Sequence, residues 1–171
     1  VKRATDFVEK ELSGNAEVYI LGHLIHNRIY NEQLAARGAK VIGIDDVEAI
    51  AKQGREARVI IRTHGIPKEQ EQHLRALEGQ YPNLLIEDMT CPFVKKIHKI
   101  ADENTGAETT LAVVGNPVHP EVLSILSYAK GESVVFDSEE ALDNYIAQEK
   151  NPEKSIILVA QTTQNTSLWK K

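Results

Sequence analysis

Five short stretches of this sequence gather side chains that hold anions or move protons. Gly22-His23-Leu24-Ile25-His26 carries two imidazoles. Arg62-Thr63-His64-Gly65 adds a third, beside a guanidinium and a hydroxyl, and Gly65 allows a ligand to approach the backbone closely. Glu87-Asp88-Met89-Thr90-Cys91-Pro92 holds the one cysteine of the chain. In His119-Pro120-Glu121 a carboxylate follows a histidine by two residues, a spacing that suits proton donation beside a bound anion. Gln161-Thr162-Thr163 offers an amide and two hydroxyls. Imidazoles, helix N-termini and backbone N–H groups suit a phosphate or a diphosphate.

Each of these residues also has a plainer reading. His26 and His119 could cap helices or brace loops, and Thr162 and Thr163 could be N-cap residues. Cys91 could be a small buried hydrophobe, or a thiolate favoured by the helix that Pro92 opens. A phosphatase nucleophile at Cys91 with His64 as its partner is a further alternative, although no phosphate-binding loop surrounds the cysteine. His73 and His98 fall inside helical patterns and read as solvated or structural. The sequence has no Cys-x-x-Cys, no His-Glu-x-x-His, no Walker loop and no Gly-x-Gly-x-x-Gly, so classical zinc and nucleotide sites lack support.

The elements that position these loops follow from the hydrophobic pattern. Short, β-branched apolar runs occur at residues 18–21, 40–44, 58–61, 84–86, 110–114, 133–136 and 155–160. Most are continuous rather than alternating, as in parallel strands buried on both faces. Helical patterns occupy 1–12, 27–37, 45–53, 67–77, 91–104, 120–129 and 138–148, with Gly38 as a C-terminal stop and Pro67 expected at a first helical position. This alternation predicts an α/β fold of two similar lobes, each a small, mostly parallel sheet flanked by helices. In such sheets ligands bind beyond the carboxyl ends of the strands, where all five stretches fall.

An internal echo supports the two lobes. Ile20-Leu21-Gly22-His23-Leu24-Ile25-His26-Asn27 lines up with Val113-Val114-Gly115-Asn116-Pro117-Val118-His119-Pro120. Each is a strand end, a glycine, three residues, a histidine and a helix start. The expected domains are 1–90 and 91–171.

Composition narrows the function classes. The chain has 171 residues with 25 acidic and 20 basic side chains, a net charge of −5 that disfavours nucleic acid or an anionic membrane as partner. No apolar run approaches the roughly 20 residues of a membrane helix. The one cysteine excludes an internal disulfide and points to a reducing, cytoplasmic setting. The chain starts Val-Lys-Arg and ends Trp169-Lys170-Lys171, after what reads as the beginning of a helix. Both ends read as cuts in a longer protein.

Six stretches, in order, carry a family resemblance. They are Val1-Lys2-Arg3-Ala4, Leu21-Gly22-His23-Leu24-Ile25-His26-Asn27, Ile61-Arg62-Thr63-His64-Gly65-Ile66-Pro67, Thr90-Cys91-Pro92-Phe93-Val94-Lys95-Lys96-Ile97-His98, His119-Pro120-Glu121-Val122 and Gln161-Thr162-Thr163. Together they resemble the LytB (IspH) family, the 4-hydroxy-3-methylbut-2-enyl diphosphate reductases of the methylerythritol phosphate route to isoprenoids. The resemblance implies three similar α/β domains around a [4Fe–4S] cluster held by three cysteines, with one iron open to the substrate hydroxyl. It implies Cys91 as one cluster ligand, and His26, His64 and His119 as the histidines that hold the diphosphate. It implies Glu121 as proton donor, Thr162 beside the substrate hydroxyl, and Gln161 in the same pocket. The implied reaction is a two-electron reductive dehydroxylation giving isopentenyl and dimethylallyl diphosphate, with a ferredoxin- or flavodoxin-type electron donor.

The departures shape the expectation for this chain. The family's first cysteine stands in a Gly-Phe-Cys-x-Gly stretch just ahead of Val-Lys-Arg-Ala. Its third cysteine and a Ser-x-Asn diphosphate clamp stand in the third domain. His23 replaces a frequent proline. A lone Cys91 cannot hold a cubane cluster. The chain is therefore expected to be a two-domain fragment of the reductase, without the cluster and inactive by itself. The alternative is a diphosphate-binding module without redox activity.

Overall fold

A computed structural model describes residues 1–148 and 154–163. The suggested helix start before Trp169 lies outside the described residues. The chain divides into two compact units, Val1–Cys91 and Pro92–Lys171.

The first unit runs α1 (Lys2–Glu11), β1 (Glu17–Leu21), α2 (Arg28–Ala36), β2 (Lys40–Ile42), a 3₁₀ turn (Ile44–Asp46), α3 (Val47–Ala51), β3 (Ala57–Ile61), α4 (Lys68–Gln80) and β4 (Leu84–Asp88). Its four strands are parallel in the order β2-β1-β3-β4. Side chains alternate across the sheet and both faces are covered. Val18, Ile20 and Ile60 meet Ala4 and Val8 of α1 and Leu34 of α2. Tyr19, Leu21, Val59 and Ile61 meet α3 and α4 on the opposite face. Two covered faces explain why the strands read as continuous apolar runs.

The second unit runs α5 (Pro92–Asn104), β5 (Thr109–Val114), α6 (Pro120–Leu126), β6 (Ser133–Phe136), α7 (Glu139–Gln148) and β7 (Ser155–Ala160). Its described strands are parallel in the order β6-β5-β7. Leu111, Val113 and Val159 pack with Ala101 of α5 and with Val122 and Ile125 of α6. Phe136 meets Tyr145 of α7 with ring centroids 5.3 Å apart. The order β6-β5-β7 repeats β2-β1-β3, so the echo seen in the sequence is an echo of topology.

Local chemistry shifts several boundaries. Pro67 is not the first residue of α4. It sits at the N-cap with extended ψ of 145°, and the helix starts at Lys68 and continues to Gln80. β2 stops at Ile42, because Asp46 Oδ2 accepts the Gly43 N–H at 2.8 Å and turns the chain into the 3₁₀ segment. Asn27, not His26, caps α2, its side chain accepting the Tyr30 N–H at 3.0 Å. Gly38 ends that helix with φ of 104°, as its residue type suggests.

Parallel pairing brings every strand exit of a unit to one edge of its sheet, and hydrogen bonds tie those exits together. In the first unit Thr63, after β3, donates both its backbone N–H (3.2 Å) and its hydroxyl (2.9 Å) to the carbonyl of Leu24, after β1. The carbonyl of Thr63 accepts the Cys91 N–H at 2.9 Å, tying in the exit of β4. Arg3 on α1 donates to the carbonyls of Asp88 (3.4 Å) and Thr90 (3.2 Å), bracing the same exit from the other side.

Two substitutions test this framework. Ile60→Ala removes a fully buried side chain at the centre of the first sheet. It is expected to cost about 2–5 kcal/mol in urea unfolding. Thr63→Val keeps the backbone bond but removes the hydroxyl, and is expected to cost about 1 kcal/mol. It should also speed amide hydrogen exchange at Cys91, and unchanged exchange there would contradict the tie.

Candidate functional site

In the first unit His26 and His64 come together, with ring centroids 4.0 Å apart and planes tilted by 42°. Their positions follow from the loops. Leu24 is fully buried and pins the exit of β1 into the core. The carbonyl of Ile25 accepts the Asn31 side chain at 2.8 Å, and His26 then emerges exposed one residue before the α2 cap. His64 lies in a tight turn in which the Gly65 N–H donates to the Arg62 carbonyl at 3.1 Å. Gly65 has φ of 76°, a conformation that favours glycine. Two adjacent imidazoles on a glycine-bordered turn can donate N–H bonds to one anion. His23 is exposed and lines, with Ile25 and His26, a groove of about 630 Å³ along α2.

Cys91 is half-buried in the exit of β4. Its amide is taken by the Thr63 carbonyl, so the loop does not present the ring of free N–H groups that a cysteine phosphatase needs. A cubane iron–sulfur cluster is held by several cysteine thiolates. Cys91 is the one cysteine of the chain, so the donors in this stretch do not complete such a site.

The second unit builds a different constellation. His119 is the N-cap of α6, and its Nδ1 accepts the Glu121 N–H at 3.1 Å. The capping reading therefore holds for His119. An accepting Nδ1 assigns the neutral ring's proton to Nε2, the nitrogen that can donate to a ligand. Glu121, 1% exposed, stands in the first turn of α6. Its carboxylate receives the Thr162 N–H at 2.6 Å and the Thr162 hydroxyl at 2.9 Å. The Thr162 side chain thus links a buried carboxylate to the outside, since Thr162 itself is exposed. Gln161 is buried and braces the exits of β5 and β7. Its Oε1 accepts the Asn116 N–H at 3.1 Å and its Nε2 donates to Thr163 Oγ1 at 2.8 Å.

His98 and His73 separate cleanly. His98 is buried, 2.9 Å from the Ser124 hydroxyl and stacked on Tyr128 at 4.2 Å, a structural link between α5 and α6. His73 is exposed on α4. The sequence reading assigned no role to Arg3 or Thr63, which hold the loops of Cys91 and His64. Their partners are backbone carbonyls 87 and 39 residues away, and no residue pattern encodes such an acceptor.

With this geometry in place, relatives can be compared. The family model described as LytB protein matches residues 1–171. Curated relatives named 4-hydroxy-3-methylbut-2-enyl diphosphate reductase include one from Dictyoglomus turgidum, 33% identical over 96% of this chain and 53% of its own length. One from Clostridioides difficile is 34% identical over 99% of this chain and 55% of its own length, and one from Geobacter sp. strain M21 is 37% identical over 96% and 53%. The chain spans about half the length of the curated relatives it matches. A solved (E)-4-hydroxy-3-methyl-but-2-enyl diphosphate reductase, described as the terminal enzyme of the non-mevalonate pathway, superposes with a TM-score of 0.69 at 32% identity, over 99% of this chain and 56% of that one. A solved E-1-hydroxy-2-methyl-but-2-enyl-4-diphosphate reductase from Plasmodium falciparum shares the fold, with a TM-score of 0.77 at 24% identity over 99% of this chain and 49% of that one. Among the described residues no helix is long and apolar enough to cross a membrane. The chain belongs to the LytB protein family.

Proposed function

We propose that this chain carries the diphosphate-holding and proton-donating part of a 4-hydroxy-3-methylbut-2-enyl diphosphate reductase. The observation that carries this reading is the grip of Thr162 on the buried Glu121 carboxylate, next to the His119 cap. The reaction converts an allylic C–OH to C–H and water, taking up two electrons and two protons. One proton must reach the departing hydroxyl. Glu121 is the acid in this reading, and Thr162 relays the proton from Glu121 through its own hydroxyl to the substrate oxygen. A buried acid shielded from bulk water delivers that proton to the bound substrate rather than to solvent. His26, His64 and His119 hold the diphosphate by N–H donation and fix the alkene for reaction. Gln161 keeps the exit of β7 in place, so that Thr162 faces the ligand.

Cys91 would give one ligand to the cluster that supplies the electrons, with the other ligands outside these residues. The electron donor in this reading is of ferredoxin or flavodoxin type, and the setting is cytoplasmic. The 171-residue chain alone is expected to be inactive as a reductase while retaining diphosphate affinity. A pure diphosphate-binding module is the second reading, resting on the paired imidazoles of His26 and His64.

Two measurements test the assignment. In the whole protein, Glu121→Gln is expected to lower kcat about 10²–10⁴-fold with little change in KM, the mark of a lost general acid. In the isolated chain, His26→Asn with His64→Asn should weaken pyrophosphate binding by calorimetry at least about tenfold. Wild-type turnover in the first variant would contradict the role of Glu121, and wild-type affinity in the second would contradict that of the histidines.

A further inference from the structure

The first unit has a second cavity on the carboxyl edge of its sheet, of about 260 Å³, whose walls include neither His26 nor His64. It lies among the exits of β1, β2 and β3. After β1 the chain turns to α2 on one face of the sheet, and after β3 to α4 on the other. A crevice between diverging connections is where open α/β sheets take ligands. Ile42, Ile44 and Ile66 give it an apolar wall, and Arg62 and Gln70 are its side chains with N–H donors.

Arg62 is built into this position. It crosses over Gly22 so closely that a Cβ there would lie 2.5 Å from Nη1, and Gly22 has φ of 73°. A glycine is required at that point by both sterics and backbone. The guanidinium is half-buried, and burial pushes its pKa down. Its Nε donates to the Gly65 carbonyl at 3.3 Å, and this is its one hydrogen bond among the described residues. No described carboxylate pairs with it. The neighbouring Asp46 is turned to the Gly43 N–H.

The second unit supplies an internal comparison. Register pairs Leu21 with Ile61 and Val114 with Ala160, so Gln161 stands where Arg62 stands. Gln161 also lies over a glycine, with Cβ and Oε1 each 3.0 Å from where a Gly115 Cβ would be. Both ends of its amide are engaged within its own unit. At the matching place in the first unit the protein keeps a cation whose terminal nitrogens meet no described protein acceptor. A half-buried guanidinium with no carboxylate beside it leaves its terminal N–H groups to water or to an anion.

We propose that this cavity binds a small oxyanion, a phosphate or carboxylate head on a short aliphatic body. Arg62 is its anchoring cation and Gln70 a second donor. Paired N–H donation from the guanidinium suits either head, and the isoleucine wall suits the body.

The test uses the 171-residue chain, labelled with ¹⁵N and titrated with inorganic phosphate and separately with isovalerate. The Arg62 Nε–H and the Gly43 and Gln70 signals are followed. The expected result is saturable shifts with at least one probe, and the probe that saturates at the lower concentration identifies the head. Arg62→Gln, which installs the second unit's residue, should weaken binding at least about tenfold. His26→Asn with His64→Asn should leave it unchanged, which separates this site from the histidine pair. Gln70→Leu, on α4, is the independent arm should Arg62→Gln disturb the loop, and it should weaken binding several-fold. Shifts that survive Arg62→Gln and Gln70→Leu, or vanish with the histidine variant, or never saturate with either probe, would overturn the proposal.

Discussion

One threonine grip, made twice, organises the functional edge of each sheet. Thr63 and Thr162 stand at the same register, two residues past the last strand residues Ile61 and Ala160. Each donates its backbone N–H and its hydroxyl to a single acceptor group. In the first unit that group is the Leu24 carbonyl, and in the second it is the Glu121 carboxylate. The geometry is shared but the chemistry differs. A carbonyl held by two donors is a structural tie. A buried acidic side chain held the same way has its oxygens satisfied by two hydrogen bonds, next to a hydroxyl that reaches the outside.

The rest of each unit serves this edge. Parallel pairing places all exits together, and two-sided burial by helices makes the first sheet stiff enough to hold them. Once Thr63 fixes the exit of β1, His26 and His64 are brought into ring contact, and the Thr63 carbonyl fixes Cys91. In the second unit the α6 cap aligns His119 with Glu121, and Gln161 prevents the exits of β5 and β7 from separating. The first unit therefore carries two imidazoles and a thiol at its strand exits, and the second a buried carboxylate.

How much of this was legible in the sequence depends on the range of each interaction. Strands such as Ser133–Phe136 and Ser155–Ala160 read correctly to the residue, because each is a short, β-branched apolar run bounded by polar residues. The helix starts at Asn27 and Ser138 were visible, since capping depends on a side chain and the next three residues. Pro67 misled, because its φ fits an N-cap as well as a first helical turn, and only ψ distinguishes them. The types and spacing of His26, His64, His119 and Glu121 marked the candidate site. The ties that place them did not, for Arg3 and Thr63 bond to carbonyls, which every residue possesses. The cavity under Arg62 was equally hidden, being a consequence of a glycine and an arginine 40 positions apart meeting across paired strands.

The account rests most heavily on Thr162 acting as the relay between Glu121 and the substrate oxygen. The direct measurement is the single-turnover rate of the whole protein with Thr162→Ser and Thr162→Val, recorded with diphosphate affinity. The account predicts that serine, which keeps the hydroxyl, stays within about tenfold of the wild type, while valine loses at least about 10²-fold in rate at unchanged affinity. Valine turning over like the wild type, or losing affinity and rate together, would contradict it.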